Sequence, residues 1–334
     1  MSPAGQGPAL AATILGAGSL GTALAASLWR PGRRLTLWTV EEDVADSLRT
    51  YRENVKYLPG IKVPKEVGVE MDPGAALQGA GIVIFAVPSH AVREVARRTG
   101  PLLPADAIVV SAAKGLERET LLRMSEVMTQ ELPQGLGSRI VVIAGPSLAP
   151  EIGEGVPTGV DVASADPDLA RAVRAALAMK RFRFKIRRDV AGVEAGGTFK
   201  NLYAIGAGIC DGLALGHNTK ASLMTKALAE MVLLARSMGG KASTIYGLSG
   251  LGDLIATAGS PRSRNRTLGE HLGRGHKVAE ITRGMVSVTE GVDAAHCAHE
   301  LGVRHKLRIP VAETIYRILN GDEKADHMVK VCLP

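Results

Sequence analysis

The residue types most able to do chemistry in this 334-residue chain are gathered in a few short segments. Gly16-Ala17-Gly18-Ser19-Leu20-Gly21 has the G-x-G-x-x-G spacing that holds a pyrophosphate. Gly16 permits the tight turn, Gly18 lets the backbone approach the ligand, and Gly21 lets the next helix pack closely on the strand. The helix N-terminus adds N–H donors and positive potential. Lys200 lies in Gly196-Gly197-Thr198-Phe199-Lys200-Asn201-Leu202-Tyr203-Ala204-Ile205-Gly206-Ala207-Gly208. Glycine weakens helices, so a helix of this composition needs close packing against something. Ala204, Ala207 and Gly208 fall on the Lys200 face, which leaves room beside the ammonium for a nicotinamide ring and a substrate. The plainer alternative is tight helix–helix contact with Lys200 extending to solvent.

Lys114, in Ala113-Lys114-Gly115, follows the apolar run Ile108–Ser111, and Gly145-Pro146-Ser147 follows Ile140–Ala144 in the same way. Both are expected at the carboxyl edge of a sheet, where ligands bind in open α/β folds. Asp253 ends Leu248-Ser249-Gly250-Leu251-Gly252-Asp253 and also reads as an ordinary helix N-cap. Ser263, Arg264 and Asn265 follow Pro261 at a helix start, where guanidinium, amide and backbone donors can grip a phosphate. An exposed, arginine-rich helix start is the competing reading.

The elements that must position these groups follow from periodicity. Short β-branched runs predict strands at 11–15, 35–38, 82–87, 108–111, 140–144, 158–163 and 182–186, and helical patterns fill the gaps at 19–29, 42–52, 90–98, 118–131 and 167–179. That alternation predicts a Rossmann-type α/β domain over 1–189. Beyond it the pattern is helix after helix (193–213, 219–238, 292–301 and 311–319), which predicts an all-α domain over 190–334 with a cleft between the two.

The net charge of +7 favours an anionic partner. Nucleic acid is disfavoured, because aromatics are only 3% of the chain. The basic run 180–188 alternates like a solvated edge strand. Ala9 to Trp29 is uncharged and long enough to span a bilayer, but its glycine spacing and the lack of a basic segment before it argue against insertion or a signal peptide. Cys210, Cys297 and Cys332 stand far apart, so neither a disulfide framework nor a metal site is expected, and a reducing cytoplasm fits.

In order along the chain, GAGSLGTALA, AVPSH, AKGLE, AGPS, GGTFKNLYAIGAG, GLSGLGDL, SRNR and TEG resemble the bacterial type of soluble NAD(P)-dependent glycerol-3-phosphate dehydrogenase. The resemblance covers nearly the whole sequence. It implies reversible reduction of dihydroxyacetone phosphate to sn-glycerol 3-phosphate, with Lys200 as proton donor or acceptor and Lys114 and Asp253 beside it. Lys114, Gly145, Ser147, Lys200, Asp253, Ser263, Arg264 and Asn265 would contact substrate. Ser19, Leu20, Lys114, Ala149, Arg264, Val288 and Glu290 would line NAD(P)H together with the three glycines. A homodimer that supplies glycerophospholipid synthesis is also implied.

Repulsion from Lys114 is expected to lower the pKa of Lys200, and Asp253 to oppose it. Leu20 stands where the family commonly has an aromatic, Pro150 where Lys or Glu is usual, and Val40 where a basic residue is frequent. Val40 is followed by Glu41, Glu42 and Asp43, acids that would repel a 2′-phosphate, so NADH is expected to serve at least as well as NADPH. The competing reading is that these acids merely start a helix while Arg49 or Arg52 reaches the phosphate. A β-hydroxyacid dehydrogenase would also place a lysine on a helix after the dinucleotide domain, but would not need the phosphate grip. A non-catalytic dinucleotide sensor would have no use for Lys200 and Asp253.

Overall fold

The computed structural model describes residues 10–283 and 290–333. Its strands are β1 (Ala12–Leu15), β2 (Leu35–Trp38), β3 (Glu53–Asn54), β4 (Leu58–Lys62), β5 (Gly68–Glu70), β6 (Ile82–Phe85), β7 (Ile108–Ser111), β8 (Ile140–Ala144), β9 (Thr158–Ala163) and β10 (Phe182–Arg187). All but β3 and β4 join one sheet, in the order β10-β9-β8-β7-β6-β1-β2-β5. Neighbours run parallel except β8 and β9. The inner strands β1, β6, β7 and β8 are buried throughout, as their unbroken apolar runs require when both faces of a sheet are covered. From β1 the chain moves outward through β2 to β5, then returns to the other side of β1 for β6. The crevice for a ligand therefore opens at the carboxyl ends of β1 and β6.

Each expected strand is present. The hairpin of β3 with β4 and the short β5 were not foreseen; they are brief and interrupted by Pro59 and Gly60. The helix expected over 118–131 begins only at Met124. Ahead of it Leu116 bridges Arg123, Leu121 takes φ 61°, and Leu116 and Leu121 are inserted into the core of the helical half. Tertiary packing overrides local propensity there. β10 is an edge strand with Phe182 and Phe184 turned inward and Arg183 and Lys185 exposed, as its alternation predicts.

After β10 the described chain is helical. A central helix, Val190–Gly212, is capped by Asp189, whose carboxylate accepts from Gly192 N at 3.0 Å. Every residue from Gly192 to Cys210 is buried. Around it pack Gly216–Ser237, Asp253–Gly259, Arg264–Gly273, Glu290–His305 and Pro310–Asn320. Among the described residues no helix is long and apolar enough to cross a membrane.

The small residues of the central helix serve a purpose different from part of the sequence expectation. A methyl group on Gly208 would lie 1.9 Å from the carbonyl oxygen of Arg266, and one on Gly269 1.9 Å from that of Ile205. Gly208 is therefore consumed by direct backbone contact with the helix Arg264–Gly273 and does not leave space beside Lys200. Helix propensity alone would make Gly208→Ala stabilising by about 1 kcal/mol, whereas the contact makes overpacking dominate. The expected outcome is a net loss of about 1–3 kcal/mol and a lower Tm, while Gly259→Ala, where an added methyl meets nothing within 4 Å, should melt no lower than the parent. Equal Tm values for the two variants would contradict this.

Candidate active site

The glycine loop joins β1 to the helix Ser19–Leu28. Gly16 has φ +107°, and a methyl there would come within 2.7 Å of Val87, so the turn demands glycine. A methyl on Gly21 would lie 1.8 Å from the carbonyl oxygen of Gly16. Gly18 differs: a methyl there meets nothing, so bare backbone faces open space at the N-terminus of the helix. This is the geometry a pyrophosphate needs. Ser19 Oγ donates to the carbonyl of Tyr57 at 2.7 Å, tying the loop to the β3–β4 hairpin. Leu20, at the start of that helix, lines a small, largely apolar pocket together with Lys114, Ala144 and Ser147. Ala149 begins the short helix Ala149–Gly153 immediately beyond Ser147.

Lys114 leaves the end of β7 and donates to Asp253 Oδ2 at 2.7 Å, Ser147 Oγ at 2.8 Å and Gly145 O at 3.0 Å. Those contacts engage all the protons of an ammonium group. Gly145, at φ +149°, lets its carbonyl turn toward this lysine; a methyl on it would lie 2.9 Å from Val160 Cα. Lys200 lies within the buried central helix and does not extend to solvent. Its Nζ is 3.1 Å from Asp253 Oδ1 and donates to Thr257 Oγ1 at 2.8 Å. Among the described residues this leaves a proton of Lys200 for another acceptor. Asp253 is not an N-cap; Gly252 holds that position. The Asp253 carboxylate lies between the two lysines, 1% exposed, with Thr257 Oγ1 3.2 Å from Oδ1.

Burial is the largest influence on Lys200 and lowers its pKa to about 8; Asp253 and Glu290 pull it up and Lys114 pushes it down. The opposed effects of Lys114 and Asp253 match the sequence expectation, but the dominance of burial was not foreseen. Glu290, at the start of Glu290–His305, accepts from Asn201 Nδ2 at 3.3 Å. Burial raises its pKa against the pull of Lys200, Lys114 and Arg264.

Ser263 caps Arg264–Gly273, accepting from Arg266 N at 3.2 Å. Asn265 Nδ2 donates to Asn201 Oδ1 at 2.9 Å, and its Oδ1 accepts from Gly291 N at 3.0 Å. These two side chains thus hold the fold together as well as flanking the exposed Arg264. Val288 lies outside the described residues. Thr257 and Asn201 were missed as contributors. Thr257 had a legible signal, a hydroxyl one helical turn after Asp253 on the same face; Asn201 had only its place beside Lys200.

The acidic segment after β2 starts the helix Glu42–Tyr51, and Val40 is exposed. Lys56 binds Glu41 at 2.6 Å and Asp43 at 2.9 Å, and Tyr57 Oη donates to Glu41 at 2.9 Å. Arg49 and Arg52 donate to backbone carbonyls between Val63 and Val69. Two of the three acids are therefore already paired, and neither arginine stands unengaged.

Two family descriptions cover most of the chain: "NAD-dependent glycerol-3-phosphate dehydrogenase N-terminus" matches residues 11–170 and the corresponding C-terminus matches residues 189–330. The chain belongs to this family. A glycerol-3-phosphate dehydrogenase [NAD(P)+] of Moorella thermoacetica is 45% identical over 92% of this chain and 90% of that protein. The one from Pelotomaculum thermopropionicum is 44% identical over 92% and 88%. The crystal structure of glycerol-3-phosphate dehydrogenase from Coxiella burnetii superposes with a TM-score of 0.91 at 37% identity, covering 96% of this chain and 98% of that one. Within the family frame, the ionisation of Lys200 is a property that can be measured. Nitrogen-resolved NMR of the lysine side chains should find one titrating near pH 8, and Asp253→Asn, which removes the attraction that favours the charged form, should move it to clearly lower pH. Titration in the ordinary lysine range, or an upward move in the variant, would contradict the site electrostatics.

Proposed function

We propose that this protein reduces dihydroxyacetone phosphate to sn-glycerol 3-phosphate with NAD(P)H, reversibly, and that Lys200 is its proton donor. The observation that carries the proposal is the buried Lys114–Asp253–Lys200 chain at the carboxyl edge of the sheet, in a member of this family. Gly16, Gly18 and Gly21 with the N-terminus of Ser19–Leu28 would hold the dinucleotide, aided by Ser19, Leu20, Ala149 and Glu290. When bound, the reduced cofactor supplies a hydride to the substrate carbonyl carbon. The carbonyl oxygen then gains negative charge, and Lys200, whose third proton is uncommitted among the described residues, stabilises that charge and delivers the proton. Lys114, with its donors engaged by Gly145, Ser147 and Asp253, acts mainly as a fixed positive charge. Asp253 aims both ammonium groups. Arg264 captures the phosphate, and binding there aligns the reacting carbon. Residues 1–189 serve as the dinucleotide domain and 190–334 as the substrate domain, in a cytoplasmic homodimer that feeds glycerophospholipid synthesis.

Following nicotinamide absorbance with dihydroxyacetone phosphate as substrate tests the reaction. Lys200→Ala should lower kcat by about 10²–10⁴-fold and leave NADH binding, measured by fluorescence titration, nearly unchanged. A variant keeping more than about a tenth of wild-type turnover would remove Lys200 from the mechanism. For the parent enzyme the proton donor must be charged, so kcat/KM for reduction should be level at low pH and fall above about 8, with the opposite limb in the oxidative direction.

NADH should be used at least as well as NADPH, because Glu41 and Asp43 occupy Lys56 and Glu42 adds an exposed negative charge. Lys56→Ala unpairs two acids at the β2 end and should shift the kcat/KM ratio further toward NADH, by a few-fold for an exposed pair. Parallel titrations of both cofactors decide it: a tenfold NADPH advantage in the parent would overturn the preference without touching Lys200.

A further inference from the structure

Asp161 lies on β9, directly across from Ala144 at the carboxyl end of β8, and its side chain is fully buried. A buried carboxylate is strongly unfavourable unless paired, and this one has two partners. Arg187, at the end of β10, donates through Nε to Oδ1 at 3.0 Å, and the backbone N–H of Ser249 donates to Oδ2 at 3.0 Å. Ser249 belongs to the wide helical turn Leu248–Gly252, which runs straight into Asp253. The Ser249 hydroxyl is buried without a hydrogen-bond partner among the described residues, so the turn is held here by its backbone.

The same turn is gripped from two other sides. A methyl on Gly247 would lie 2.5 Å from Arg187 Nη2, so the guanidinium packs on the residue that precedes the turn. A methyl on Gly196 would lie 2.6 Å from the Ser249 carbonyl oxygen, so the turn also touches the central helix one helical turn before Lys200. Sheet edge and central helix together clamp the segment that delivers Asp253.

We propose that Asp161, oriented by Arg187, is a positioning residue that sets how the Asp253 carboxylate is shared between Lys114 and Lys200. This rests on the roles given above to Lys200 and Asp253. Arg187 is the last residue of β10 but turns inward, 20% exposed, a use that the alternation of the basic run did not announce.

The test is the pH profile of dihydroxyacetone phosphate reduction by Asp161→Ala and Asp161→Asn. The first removes both acceptors; the second keeps the volume and loses one acceptor and the charge. With the turn released, Asp253 holds the Lys200 proton less well, while Lys114, Glu290 and Thr257 still face that ammonium. Asp161→Ala should lower kcat by about 10- to 100-fold, leave KM for NADH unchanged, and move the basic limb to lower pH. Asp161→Asn should do the same to a smaller extent, and it carries the test if the alanine variant does not fold. In an Asp253→Asn background, Asp161→Ala should have little further effect on kcat, because both changes act through one carboxylate. A lower Tm with an unmoved pH limb, or losses that multiply in the double variant, would make the Asp161–Arg187 pair a structural ion pair only. Lys200→Ala separates the two levels: if it abolishes turnover while Asp161 variants leave the limb in place, only the positioning proposal falls, and if it retains turnover, the underlying reading of Lys200 falls.

Discussion

A single carboxylate, Asp253, stands between two ammonium groups in a largely buried site, and the arrangement of both halves of the protein can be understood as what is required to keep it there. Two lysines this close repel each other, and burial disfavours the charge of Lys200. Asp253 compensates both, at 2.7 Å from Lys114 and 3.1 Å from Lys200. The three groups come from different places: the end of β7, the central helix, and the helix start after a wide turn. No one of them is stable in its place without the others, since removing a partner from a buried ion pair leaves an uncompensated charge.

That mutual dependence explains why the two lysines are not equivalent. Lys114 is held by three protein acceptors and Lys200 by two, and burial lowers the pKa of Lys200 to about 8. A proton carrier needs a pKa near the working pH and an unoccupied direction in which to donate. The difference between these two identical side chains is one of burial and hydrogen-bond count.

Much of this was legible in the sequence. The unbroken apolar runs of β1, β6, β7 and β8 give the sheet, G-x-G-x-x-G gives the ligand edge, and Lys114 and Ser147 follow as residues just past strand ends. The brief strands β3 to β5 were hidden because two or three residues carry no period. The loop before Met124 was misread as helix because its leucines are drawn into a core contributed by residues far along the chain. Asp161 and Arg187 gave no local signal: an acid inside an apolar strand and one of several arginines acquire meaning only when β9 and β10 meet the turn before Asp253. Gly208 was ambiguous for a related reason, as a missing side chain can mean room for a ligand or contact with another backbone.

The crossing of the central helix with Arg264–Gly273 is made by peptide groups touching through Gly208, Gly212, Gly269 and Gly273. Side chains give an interface slack, because each can change rotamer and absorb a small displacement; backbone touching backbone has no such freedom. The helix that begins with Arg264 and the helix that carries Lys200 therefore behave as one stiff part. A ligand that grips one end of that part fixes the bearing of the other without any rearrangement between them. Precision at the amine is obtained from the absence of atoms some two helical turns away.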